Sequence, residues 1–123
     1  MNDLQNQGPA LLRDGRYHVL LERINRLTGR ERENLQIRIL EAFAHLKRWI
    51  LQKNKASKSQ WNGLYQSLSR SSDRSATPLL IRISKDPEEY TRLYAVSLLR
   101  TMGDQRALKD LQKIASSDPN WKI

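Results

Sequence analysis

Apolar residues recur at three- and four-residue intervals through most of this chain, the period of an amphipathic helix rather than the alternation of a strand. Between Glu88 and Met102 that spacing places Leu93, Ala95, Val96, Leu98, Leu99 and Met102 on one face. Asp86 and Pro87 precede the run and Glu89 follows at capping-box spacing, so a helix start is predicted there. Gly103 predicts its end, because glycine best tolerates the left-handed conformation that closes a helix. Asp104 predicts the cap of a second helix over 105–115, with Ala107, Leu108, Leu111, Ile114 and Ala115 inward.

Upstream the same period predicts a helix over 14–27 using Tyr17, Leu20, Leu21, Ile24 and Leu27. A longer helix is predicted over 30–53 with Leu35, Ile39, Ala42, Phe43, Leu46 and Ile50 in register, started by Thr28 and Glu31 at capping-box spacing. The polar stretch 53–59 reads as a loop, followed by a helix carrying Trp61, Leu64, Tyr65 and Leu68. Residues 69–75, rich in serine, read as another loop, and 1–13, polar at the start, as a flexible N-terminus. Six helices in three approximate hairpins result.

Asp86-Pro87 recurs as Asp118-Pro119 after 32 residues, a helical-repeat period. With Arg92, Ala95, Leu98-Leu99, Gly103-Asp104, Ala107 and Leu111, this pattern resembles the short bacterial HEAT-like repeats first described in phycobilin lyases. The match covers one repeat fully, and Pro78, Leu79, Leu80 and Ile83 extend it weakly backward. The resemblance implies an all-α, right-handed solenoid of about three antiparallel helix pairs, in one domain over 1–123. Its parts would be a degenerate first hairpin at 14–53, a second at 59–85, the best-formed repeat at 86–117, and 118–123 as a tail or the start of a further repeat. It also implies that Asp86, Arg92 and Asp118 form a structural ladder between repeats, and by name alone it offers a tetrapyrrole lyase or chaperone subunit as one function.

Composition narrows the chemistry. The chain has 123 residues, 38% apolar, and no cysteine, which excludes disulfides and thiolate chemistry. His18 and His45 have no acidic partner at metal-ligand spacing, so neither a metal nor another cofactor is expected. No apolar run approaches the roughly 18 to 20 residues that span a membrane. The N-terminus lacks the basic start and apolar centre of a secretory signal, so a cytoplasmic protein is expected. No Gly-x-Ser-x-Gly elbow or phosphate-cradling glycine run is present, and the chain reads as a non-enzyme.

The formal charge of +9, from 22 Lys and Arg against 13 Asp and Glu, bears on partners. A potential of that sign attracts nucleic acid, anionic membranes and acidic proteins. Arg38, Glu41, His45, Arg48 and Gln52 share one face of the 30–53 helix, opposite its apolar seam. That face is either a ligand-facing surface or a solvated one with an internal Arg38, Glu41 and His45 network. Trp49 lies off the seam and is the tryptophan expected to be exposed; Trp61 is expected in the core, and Trp121 is left open.

The expected function is a protein-interaction module or scaffold, a use fold analogy suggests, with an acidic protein as partner. Its candidate binding residues are Arg38, His45, Arg48, Trp49, Lys53 and Lys55. The alternative is sequence-independent nucleic-acid binding, which would need Arg38, Lys47, Arg48, Lys53, Lys55 and Lys58 on one side.

Overall fold

The computed structural model describes residues 2–71 and 74–102, and every regular element among them is helical. The expected helix over 105–115, with Gly103, Asp104, Asp118 and Trp121, lies outside the described residues. The chain divides into two compact units between Leu68 and Ser69.

In the first unit, α1 (Asn2–Arg13) occupies the segment expected to be flexible. Its polar start and its Gly8-Pro9 pair give poor intrinsic helicity, but Leu4, Leu11 and Leu12 form one buried face. Gly8 is also buried and lies so close to Leu40 that a Cβ there would stand 2.5 Å from Leu40 Cδ1. Docking, not propensity, makes this helix. It closes in a Schellman motif, with Arg16 N donating to the Leu11 carbonyl at 2.8 Å, Gly15 N to that of Leu12 at 3.1 Å, and Gly15 at φ 77°. The sequence signal for this end was Gly15.

The helix α2 (Tyr17–Asn25) buries Tyr17, Leu20, Leu21 and Ile24. The long helix expected over 30–53 is two elements, α3 (Gly29–Arg32) and α4 (Leu35–Gln52). Thr28 caps the first as expected, its Oγ1 accepting from Glu31 N at 3.5 Å and donating to Glu31 Oε1 at 3.0 Å. Asn34 then breaks the run, because its Oδ1 accepts from Gln36 N at 3.0 Å and Ile37 N at 3.3 Å and so restarts the helix.

At the centre of the unit, α4 packs against both α1 and α2. Ile37, Leu40 and Ala44 join the expected Ile39, Ala42, Phe43 and Leu46 in the core, so its buried face is wider than a single seam. Lys47, also buried, donates from Nζ to the Leu12 carbonyl at the end of α1. A cation suits that position, where the last carbonyls carry the negative end of the α1 dipole.

The loop expected over 53–59 shrinks to two residues. Lys53 adopts the left-handed conformation (φ 55°, ψ 34°), and Asn54 Oδ1 accepts from Ser57 N at 2.9 Å, starting α5 (Lys55–Ser69). Most of the first turns of α5 face solvent, with Ser57 alone buried before Trp61, and so carry no apolar period to read. Trp61 lies 5.2 Å from Phe43 and 5.0 Å from Tyr65 between ring centroids, placing it in the core as expected. The helix around Trp61 therefore packs against α4.

In the second unit a short 3-10 turn (Arg74–Ala76) leads into α6 (Thr77–Ile83), which packs on α7 (Glu89–Met102). Leu79, Leu80 and Ile83 meet the face of Ala95, Val96, Leu98 and Leu99, all buried. The turn between them differs from the expected capping box. Asp86, 4% exposed, accepts from Glu88 N at 2.8 Å. The cap of α7 is Glu88, whose carboxylate accepts from Tyr90 N, Thr91 N and Thr91 Oγ1 at 3.0, 2.7 and 2.8 Å. Arg92 Nη1 donates to the Asp86 and Pro87 carbonyls at 3.1 and 2.8 Å, so the expected Asp86 and Arg92 ladder residues hold one turn together.

Candidate functional site

The polar face of α4 is a strip bounded by α5 on one side and by α2 and α3 on the other. Arg38 Nη2 donates to Ser67 Oγ at 2.5 Å, and His45 Nδ1 lies 3.0 Å from Ser57 Oγ. With Phe43 on Trp61, these pairs run in antiparallel register, the number falling along α5 as it rises along α4, and Trp49 lies beneath Lys58 near the turn. On the other side Arg32 of α3 pairs with Glu41 at 2.8 Å, and Gln52 Nε2 lies 3.0 Å from His18 Nε2 of α2. The expected network within α4 is thus replaced by bonds to neighbouring elements, with Glu41 taken by Arg32.

Arg48 differs from the rest of the strip. Its Nε is buried and has no hydrogen-bond partner, whereas more than about nine in ten buried polar groups are paired. The neighbouring acceptors on its face are engaged: the Glu41 carboxylate with Arg32 and His45 Nδ1 with Ser57.

Burial lowers the His45 imidazole below its ordinary value; Glu41 opposes that shift, and Arg48 and Arg32 add to it. His45 is therefore neutral at physiological pH. A serine hydroxyl against a histidine nitrogen is also the geometry of an activated nucleophile, but Ser57 is 1% exposed. Its hydroxyl serves the hairpin and meets no substrate.

The remaining candidates fall at the hairpin turn. Lys53 and Lys55 are exposed as expected, and so is Lys58, whose Nζ stands 4.8 Å from the centroid of the Trp49 ring. Trp49 is half-buried rather than open. Lys47 leaves the group entirely, being buried against Leu12. No carboxylate occurs between Glu41 and Asp73, so nothing on α5 offsets these cations.

Sequence reasoning missed Ser57, Ser67, Arg32 and His18. Ser57 had a signal, since it shares a face of α5 with Trp61, Leu64 and Leu68 at helical spacing; the others depend on how helices pack. Among the described residues no group of three His, Asp or Glu side chains could hold a metal ion, and no helix is long and apolar enough to cross a membrane. No protein-family model matches the chain, and no curated protein or solved structure does either.

Proposed function

We propose that this chain is a non-catalytic interaction module that receives an acidic partner protein on the α4–α5 hairpin. The observation that carries the reading is the charge asymmetry of that hairpin: Lys53, Lys55 and Lys58 are exposed, Arg38 and Arg48 are half-exposed, and no carboxylate lies between Glu41 and Asp73. Two of those lysines lie in the first turn of α5, where the helix dipole favours anions and a cation costs about 0.3–1 kcal/mol. Lys58 recovers part of that cost from the Trp49 ring. For Lys55 an external anion would supply the compensation.

A solenoid of stacked helix pairs is the architecture proposed around this surface, supported by the α6–α7 pair and its Asp86-Pro87 turn. The nucleic-acid alternative has weaker support. Of the six cations it would align, Lys47 is buried, Arg38 is turned onto Ser67, and Lys58 covers a face of the Trp49 ring on which a base would stack.

The test is a titration of the full chain with a glutamate-rich peptide and with duplex DNA across salt concentrations. Peptide binding that weakens with salt, and falls at least about tenfold in the triple variant Lys53→Glu, Lys55→Glu, Lys58→Glu, is the expected result. Duplex binding that survives near physiological salt, with a slope of several phosphates, would replace this reading with the nucleic-acid one.

A further inference from the structure

Along α4, Leu40, Ala44, Lys47 and Leu51 recur at intervals of four, three and four and so share one stripe of the helix. The first part of that stripe is covered by α1. Gly8 lies against Leu40, and the Leu12 carbonyl receives the Lys47 ammonium. The number therefore rises together along the two helices, and α1, ending at Arg13, stops one turn short of Leu51. Leu40, Ala44 and Lys47 are buried, whereas Leu51 is 55% exposed.

Two bonds fix what borders Leu51. Lys47 holds the end of α1, and Gln52 Nε2 lies 3.0 Å from His18 Nε2 at the start of α2. The segment joining those helices, 13–16, thus borders the step left where α1 ends, and it is exposed throughout. It carries Arg13 and Arg16 with one carboxylate, Asp14, which pairs with Arg13 at 3.7 Å. Beyond Leu51 the chain continues into Lys53 and Lys55, also exposed. A lone apolar residue on a surface is ordinary. Leu51 differs in continuing a stripe of the core and in lying among charges mostly of one sign, which select an acidic occupant.

We propose that Leu51, on the step past the end of α1, is the anchor point for a large apolar side chain carried within an acidic segment of the partner. The assignment rests on the reading of the hairpin as an acidic-partner surface and adds what that partner must carry. The arginines and lysines around the step draw the segment in and give its binding a salt dependence. The apolar contact, which salt does not screen, slows its release. A purely acidic segment lacks this second part and leaves Leu51 in water.

The experiment measures binding of the full chain to two glutamate-rich peptides, identical except for a central leucine or serine. The leucine peptide should bind about tenfold tighter, and its advantage should persist as salt rises and both affinities fall. Leu51→Ser, at an exposed position, should remove that advantage while thermal melting confirms the fold, and Leu51→Met should keep it. Equal affinities of the wild type for the two peptides, or an advantage that survives in Leu51→Ser, overturns the anchor. Two other occupants are tested alongside, by adsorption to phosphatidylserine vesicles and by self-association in sedimentation. Either one, abolished by Leu51→Ser while the two peptides bind alike, assigns the step to a membrane or to a second copy and overturns the proposal. If the anchor fails but the triple lysine variant still loses both peptides, the acidic-partner reading stands; if the wild-type chain binds neither peptide, both fall.

Discussion

His45 and Ser57 meet across the α4–α5 hairpin, Nδ1 to Oγ at 3.0 Å, and this bond links the fold of the hairpin to pH. Burial lowers the imidazole below its ordinary value, with Glu41 opposing and Arg48 and Arg32 adding. The unfolded chain then takes up the His45 proton first, near about pH 6.5. Stability from this group is fully present above that value and is lost as pH falls below it, until the folded protein also protonates. Denaturation midpoints measured from pH 8 to pH 5 should fall more steeply for the wild type than for His45→Gln; parallel curves would remove His45 from the account.

At α1 the argument is steric. Gly8→Ala gains about 1 kcal/mol of helix propensity, yet its Cβ would stand 2.5 and 2.6 Å from the Leu40 methyl carbons, and Leu40 is fully buried. Overpacking of this kind costs about 1–3 kcal/mol, so the variant should be less stable than the wild type in urea unfolding. A stabilised variant would mean that α1 does not press on Leu40.

The start of α7 separates two readings of one turn. The sequence nominates Asp86 with Glu89 as a capping box, whereas the bonds to Tyr90 N, Thr91 N and Thr91 Oγ1 come from Glu88. Glu88→Ala should cost about 1 kcal/mol or more by thermal melting, and Glu89→Ala should stay within about 0.5 kcal/mol of the wild type. Equal losses would restore the capping box.

These cases mark what could be read from residues alone. Long periodic runs such as Leu93 to Leu99 and the cap at Thr28 were legible, because local spacing and hydrogen bonding decide them. The helix α1 was not, since its Gly8-Pro9 pair argues against a helix until Leu40 and Lys47 are placed against it. Asn34 was missed because its neighbours keep the apolar period across the break that its side chain makes. At the candidate site, the shared face of Arg38, His45 and Arg48 was legible from helical spacing. That Lys47 turns inward while its neighbour Arg48 keeps an unpaired donor depends on the packing of α1, which no spacing along α4 encodes.

The central claim is that Arg48 does not hold the fold together, and thermal melting of Arg48→Met tests it most directly. Methionine keeps the apolar stem of the side chain and removes the unpaired Nε–H. Release from that unmade bond predicts a variant as stable as the wild type or more stable, by about 1 kcal/mol and a few degrees in Tm. A drop in Tm corresponding to about 2 kcal/mol or more would show that Arg48 holds the fold together, and would contradict the claim.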